Sequence, residues 1–196
     1  MDLRTWITTD LANVQSRLHN GIVAHVPPDR WRTRLAGSPG TAGGSSSLAW
    51  LLFHCSYHHD LALNTAVLGH PPLLEQHRSA LGLDGTLPES GLPEREDPEI
   101  SDALELDALL VYADDVFDST VSWMERVAIT AFDSIPESSW RIEHVAGVRR
   151  AEVPWLHAMW EGKPVSWFVQ WEAVGHGYTH VGEMTGLRGA LGHSPF

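Results

Sequence analysis

The chain has 196 residues, with 13 Lys and Arg against 25 Asp and Glu, and its formal net charge at pH 7 is −12. Because this charge repels polyanions and no basic run offsets it, we do not expect nucleic acid as a partner. The single cysteine, Cys55, excludes an internal disulfide, and the longest apolar run, Leu48 to Phe53, is too short to cross a membrane. With 43% hydrophobic residues, the composition predicts one domain over residues 1–196, in the cytoplasm.

Apolar residues recur at helical spacing in four long stretches. The first stretch runs from about Asp2 to His25 and ends before two prolines; its expected core stripe comprises Trp6, Leu11, Val14, Leu18 and Ile22. A Gly- and Ser-rich loop is predicted at residues 37–44. The second stretch runs from about Ser45 to Leu68, and its N-cap candidates are Ser45, Ser46 and Ser47.

The second half of the chain contains the other two stretches. The third runs from about Pro98 to Ser134, and its expected core side comprises Ile100, Leu104, Leu109, Val116, Val121, Met124 and Val127. The fourth runs from about Pro164 to Leu191. The linker at residues 70–97 predicts one short helix, Leu73 to Leu81. Residues 136–162 fit a short strand, a loop or a helical turn.

Four long amphipathic helices predict an all-α four-helix bundle. A helix of roughly 24 residues is about 36 Å long, and about 11 extended residues return the chain to the same end. The linker between the second and third helices is longer than that, so these two helices can run parallel. The up-down-down-up order is therefore our prediction, although the same linker also permits an antiparallel turn.

His176 and His180 are the most specific local feature of the sequence. Residues four apart share one face of an α-helix, so both imidazoles can bind the same ion. The Glu that follows the first histidine in zincin proteases is replaced by Gly177, so the peptidase motif is absent. His54, in an otherwise apolar run, is the candidate third ligand, because an imidazole is costly to bury without a partner. The simpler alternative is a chance pair of histidines and a hydrogen-bonded core histidine.

Other polar residues near these histidines have weaker signals. Glu183 follows His180 by one turn and is the candidate catalytic residue, as a proton acceptor or as an acceptor for a ligand N–H; pairing with Arg188 or solvent is the alternative. His58 and His59 are the next candidate ligands, although exposed or capping roles are the simpler expectation. Asp60 and Asn64 could form hydrogen bonds across the bundle, and Cys55 is expected to be a packed residue.

The sequence resembles the DinB/YfiT-like superfamily of metal-dependent enzymes. The matching residues are the run Trp50 to His54, followed by Asp60 and Asn64, and the run His176 to Glu183, followed by Leu187-Arg188-Gly189 and Leu191-Gly192. The resemblance implies an up-down-down-up bundle, often dimeric, that holds a divalent metal through His54, His176 and His180. It also implies a thiol transferase that uses mycothiol, bacillithiol or glutathione. The maleylpyruvate isomerase branch is disfavoured, because that branch tends to have a carboxylate at the position of His176.

Three imidazoles leave a fourth position open on a tetrahedral zinc ion, as in catalytic zinc sites. Zinc is the expected metal, and nickel or iron would also suit these ligands. A thiol bound at such an ion loses its proton near neutral pH. We therefore expect an S-transferase that activates a low-molecular-weight thiol for attack on a small electrophile, in detoxification or stress. The alternatives are a non-catalytic metal-binding or dimeric interaction protein, and a bundle whose histidines bind no metal.

Overall fold

The computed structural model describes residues 2–36 and 45–194, and these residues include no β-strand. The loop predicted at residues 37–44 lies outside them. The α-helices in these ranges are α1 (Leu3–Leu18), α2 (Leu48–Asp60), α3 (Leu74–His77), α4 (Pro98–Ala103), α5 (Leu106–Arg126), α6 (Ser138–His144), α7 (Pro154–Trp160), α8 (Val165–Trp167) and α9 (His176–Ala190). Three π-helical segments extend them: His19–Val23 continues α1, Leu61–Val67 continues α2, and Phe168–Gly175 joins α8 to α9. Short 3-10 helices occupy Pro28–Arg30 and Ile129–Asp133.

Helix α2 is the central helix of the bundle. Its N-cap is Ser47, whose side chain accepts a hydrogen bond from the amide of Trp50. Every residue from Leu48 to Asp60 is buried, as expected for a helix that is apolar on nearly all sides. The polar residues of α2 therefore lie in the interior and need partners there.

Contacts between the long helices define their relative directions. Helices α1 and α9 are parallel, because a residue further along the first helix contacts one further along α9: Asp10 contacts Tyr178, and Gly21 contacts Arg188. Helices α1 and α5 are antiparallel, because Arg4 contacts Glu125 and Gln15 contacts Asp114. Helices α2 and α5 are parallel, because Asp60 contacts Tyr112 and Asn64 contacts Ser119. Helix α2 is antiparallel to α9 and the π-helical segment before it, because His54 contacts His180 and His58 contacts Glu172. These directions are those of an up-down-down-up bundle.

The third predicted helix is interrupted, so its prediction as one helix from Pro98 to Ser134 is wrong. Leu104 and Glu105 adopt extended backbone angles between α4 and α5. The interruption is stabilised by tertiary contacts, because Arg32 donates to the carbonyl of Leu104 and the amide of Glu105 donates to that of Leu81 at 3.2 Å. The helix ends again at Arg126, after which Val127 is extended.

Two further expectations need correction. Trp6 is 49% exposed and Ile7 takes its place in the core, because a residue five before Leu11 lies about 140° from it around a helix. The short helix predicted from Leu73 to Leu81 spans only α3. Residues 136–162, for which the sequence left a strand, a loop or a helical turn open, form α6 and α7 with loops. None of the described helices is both long and apolar enough to span a bilayer.

Candidate metal centre

The structure brings His54, His176 and His180 together in the interior. Their ring centroids are 5.3 Å apart for His54 and His176, 4.9 Å for His54 and His180, and 4.3 Å for His176 and His180. All three side chains are buried. The convergence predicted from the two helical motifs is therefore present.

His54 presents one nitrogen to this cluster. Its Nδ1 lies 2.9 Å from the carbonyl oxygen of Gly91, and because a carbonyl only accepts, Nδ1 carries the hydrogen. Burial lowers the pKa of His54, so Nε2 carries a lone pair. This Nε2 is buried and has no hydrogen-bond partner, which fits a metal ligand.

His180 is oriented by Glu183, one turn further along α9. Its Nδ1 donates to Oε2 of Glu183 at 2.7 Å, so Nε2 is the nitrogen that faces the cluster. This Nε2 lies 2.8 Å from Nε2 of His176. Two nitrogens at that distance need a proton or a cation between them, because two lone pairs repel each other.

His176 lies between His180 on one side and His58 with Glu172 on the other. Its Nδ1 is buried without a hydrogen-bond partner and is 3.8 Å from Oε2 of Glu172. Burial, together with the neighbouring His58 and His180, lowers the pKa of His176 far below its ordinary value. The imidazole is therefore neutral, as a metal ligand must be.

Gly177 has a packing role that explains the missing zincin glutamate. A Cβ at this position would lie 2.9 Å from Cγ1 of Val14, closer than real Cβ atoms approach a neighbour. Helices α1 and α9 are therefore in close contact beside His176, and a side chain as large as Glu would separate them.

The linker between α3 and α4 contributes to the cluster, which sequence reasoning missed. Gly91 has φ +90°, and a Cβ there would overlap the ring of Phe53, so glycine allows its carbonyl to approach His54. Oε2 of Glu94 lies 3.6 Å from Nε2 of His54. Four ligand atoms, one each from Glu94, His54, His176 and His180, lie within 4.8 Å of one another. No periodicity marks Glu94, and only the folded linker places it there.

His58 is buried, so the exposed or capping role expected for it is wrong. Its Nε2 donates to the carbonyl of Leu92 at 2.9 Å, and its Nδ1 lies 3.6 Å from Oε2 of Glu172. Burial alone lowers the pKa of His58, but the Glu172 carboxylate outweighs it and the pKa is raised.

His59 is also buried, contrary to the same expectation, and it points away from the cluster. Its Nε2 lies 2.8 Å from Oγ1 of Thr120, and its ring packs edge-on against Phe117. Burial lowers the pKa of His59 to about 3. His59 is therefore a neutral core residue that ties α2 to α5.

Glu172 is a second residue that sequence reasoning missed. It is only 1% exposed, and its Oε1 accepts a hydrogen bond from Nε1 of Trp160 at 2.7 Å. Its Oε2 has no hydrogen-bond partner. A signal was available, because Glu172 is a charged residue in an apolar run, four positions before His176.

Asp60, Asn64 and Cys55 do not belong to either group of ligand atoms. Asp60 and Asn64 form hydrogen bonds with each other and across the bundle to α5, as the sequence allowed. Cys55 is a buried free thiol, and burial raises its pKa to about 12. It is packed, as expected, and is a poor nucleophile.

A cavity of about 400 Å³ lies next to the cluster. Glu94 and Glu183, whose carboxylates approach His54 and His180, both line it, and the remaining wall is formed by Leu35, Ser45, Ser46, Leu51, Gly186, Leu187 and Ala190. The side chains of Glu94 and Glu183 are 76% and 53% exposed. The ligand set therefore has a side that faces solvent.

These residues fit a divalent cation. Neutral imidazole nitrogens with a carboxylate suit zinc, nickel and iron. The unpartnered Nε2 of His54 and the close contact between His176 and His180 are both satisfied by one cation among them.

Comparisons with known proteins support the fold. No protein-family model matches the chain, and no curated protein matches it. A solved structure titled "Crystal structure of the conserved protein of locus from Enterococcus faecalis" is similar, with a TM-score of 0.62 and 17% identity. The alignment covers 98% of this chain and 99% of that one. At this identity the likeness establishes the helical-bundle fold alone.

Proposed function

We propose that this protein is a divalent-metal-dependent enzyme that activates a low-molecular-weight thiol for transfer to a small electrophile. One observation carries the proposal: three buried imidazoles converge beside a cavity that opens to solvent. The motif resemblance to the DinB/YfiT-like superfamily supports the same activity. Zinc is the metal we expect first, with nickel or iron as alternatives.

The histidines and Glu183 have different roles in this reaction. His54, His176 and His180 would hold the divalent cation, which when bound would lower the pKa of a thiol beside it. Glu183 holds the Nδ1 proton of His180 and so keeps its Nε2 available; this is a positioning role, and it fits the contact better than the catalytic role predicted for Glu183. Outer carboxylates of this kind orient histidine ligands in many metal sites.

Glu94 is better placed than Glu183 to accept the proton of the thiol. Its side chain is 76% exposed, so the carboxylate stays hydrated and is ionised at neutral pH, and it lines the cavity. In the transfer step a bond forms between the sulfur and the electrophilic carbon. The bond from that carbon to its leaving group breaks, and the leaving group departs with the electron pair while Glu94 takes the thiol proton.

The cavity also favours one class of thiol. Its described wall has two carboxylates and no basic side chain, and the chain has a net charge of −12. A thiol with several carboxylates would be repelled here. We therefore propose an uncharged or cationic thiol, such as mycothiol, in preference to glutathione.

The proposal is tested by following thiol consumption with 1-chloro-2,4-dinitrobenzene in the presence of zinc-loaded protein. We expect catalysed thioether formation with 2-mercaptoethanol or cysteamine, a lower rate with glutathione, and loss of catalysis in His180→Ala. His77→Gln is the matched control, because His77 pairs with Asp115 and neither residue belongs to a group of ligand atoms. Failure of the loaded protein to consume any of these thiols faster than free zinc does would refute the activity.

A non-catalytic metal-binding protein is the second candidate, and Glu94 is the observation that favours it. Its carboxylate lies within ligand distance of the histidine nitrogens and could close the fourth position. Glu94→Gln separates the two functions. If Glu94 accepts the thiol proton, the variant keeps its zinc affinity and loses turnover; if Glu94 is a permanent ligand, zinc affinity falls by more than about tenfold.

A homodimer and a cytoplasmic location complete the proposal. An apolar cleft lies between the start of α1 and the π-helical segment before α9, and Leu3, Trp6, Phe132, Val169 and Val174 are among the residues that line it. A second copy of the chain would cover this surface. Sedimentation equilibrium of the wild type and Trp6→Ser tests the dimer, which we expect to weaken in the variant.

A further inference from the structure

Three buried polar atoms that the first ligand set does not use meet on the other side of His176. They are Nδ1 of His58, Oε2 of Glu172 and Nδ1 of His176, and they lie within 4.8 Å of one another. All three are shielded from solvent and none has a hydrogen-bond partner among the described residues. Leaving such atoms unpaired is costly, so one ligand that satisfies all three is expected.

The separations between these atoms indicate which ligand fits. Oε2 of Glu172 is 3.6 Å from Nδ1 of His58 and 3.8 Å from Nδ1 of His176, too far for direct hydrogen bonds. Two groups that hydrogen-bond one water stand about 4.6 Å apart. Two ligands of a tetrahedral zinc ion stand about 3.3–3.4 Å apart. The observed separations are therefore closer to those around a cation.

The three side chains are already oriented by their other polar atoms. Nε2 of His58 donates to the carbonyl of Leu92 at 2.9 Å, so the other ring nitrogen, Nδ1, faces Glu172 and binds an ion by giving up any proton it carries. Oε1 of Glu172 accepts from Trp160 at 2.7 Å, which leaves Oε2 free. Trp155, which is 43% exposed, stacks on His58, so a side chain that reaches the surface borders this group.

We propose that His58, Glu172 and His176 bind a second divalent cation. His176 then bridges the two ions, with Nε2 toward the first and Nδ1 toward the second. To bind at both nitrogens, His176 releases its remaining ring proton to solvent. The resulting imidazolate and the Glu172 carboxylate offset part of the positive charge of the two ions. The proposal depends on the proposed function only through the shared His176.

Zinc stoichiometry is the first test. Untagged protein is dialysed against zinc, and zinc per chain is measured by elemental analysis. We expect two ions in the wild type, one in Glu172→Gln, one in His180→Ala and two in the control His77→Gln. One ion in the wild type, or two ions in both wild type and Glu172→Gln, would overturn the second site.

Copper binding tests the bridge without any variant, in case Glu172→Gln fails to fold. Two copper(II) ions joined by an imidazolate couple magnetically, so the paramagnetic resonance signal of the doubly loaded protein should fall well below that of two isolated ions. Two full uncoupled signals would overturn the bridge. A single ion that is lost in His180→Ala but kept in Glu172→Gln would remove the second site and leave the proposed function standing.

Discussion

We predict that Asp60 stabilises the fold and takes no part in metal binding. Its position in the sequence left both roles open. Its carboxylate accepts four hydrogen bonds of 2.9 Å, from Asn64, the amides of Leu73 and Leu74, and the hydroxyl of Tyr112. All four groups donate, so the ionised carboxylate is the form that pairs with every one of them. Asp60 thereby joins α2 to the linker and to α5.

The cost of Asp60→Ala follows from the donors left behind. The groups on Asn64, Leu74 and Tyr112 are buried, and each unsatisfied buried donor costs about 1–3 kcal/mol. We therefore expect the free energy of unfolding to fall by at least about 3 kcal/mol, a large share of the roughly 5–15 kcal/mol that stabilises a typical domain. Tyr112→Phe removes one of the four bonds and should cost about 1.5 kcal/mol.

Urea denaturation followed by circular dichroism measures these changes, provided the denaturant slope is unchanged. Asp118→Ala, at an exposed position of α5, is the matched control and should stay within about 0.5 kcal/mol of the wild type. If Asp60→Ala costs no more than Tyr112→Phe, the four-bond account of Asp60 is wrong. If folded Asp60→Ala binds fewer zinc ions than the wild type, Asp60 belongs to the metal site after all.

Three more predictions concern single side chains. Glu183→Gln should weaken zinc binding about 10- to 100-fold because His180 loses its orienting carboxylate; competition with a chromogenic chelator measures this, and an unchanged affinity would contradict the positioning role. His59, with a pKa of about 3 when folded, binds a proton more readily in the unfolded chain, so its contribution is complete above about pH 6.5 and lost as pH falls. The loss is about 2.7 kcal/mol by pH 4.5, and His59→Gln should show a correspondingly shallower decline in urea stability between pH 7 and 4.5. Cys55, with a pKa of about 12, should resist iodoacetamide at pH 8 in the folded protein and react in denaturant, as mass spectrometry would show; rapid modification of the folded protein would mean that the thiol is accessible.

Helical periodicity predicted the parts of the fold that depend on local sequence. The regions of the four long helices and the shared face of His176 and His180 follow from spacing alone. The interruption at Leu104 does not, because Arg32, more than 70 residues earlier in the chain, donates to its carbonyl. Trp6 was predicted as part of the core stripe, although its angle relative to Leu11 places it outside.

The candidate site was predicted through its histidines and Glu183, whereas Glu94 and Glu172 were missed. His54 was recognisable as an imidazole in an apolar run, and His176 and His180 as a pair. Glu94 comes from a linker without periodicity, so no local pattern indicates that it reaches His54. Glu172 could have been found by the same reasoning as His54, since it is a charged group inside an apolar run.

The π-helical turn before α9 explains how one helix serves both ligand groups. Glu172, His176 and His180 follow one another at intervals of four, and on a regular α-helix each interval drifts by about 40°, or about 80° in total. Phe168–Gly175 is π-helical, and its wider turns hold more residues, so the step from Glu172 to His176 winds less than an α-helical step. A Cβ at Gly175 would lie only 3.1 Å from the carbonyl of Gln170, so glycine suits the end of this widened turn. Because the drift is reduced, Glu172 and His180 both face α2, where His58 and His54 stand one turn apart.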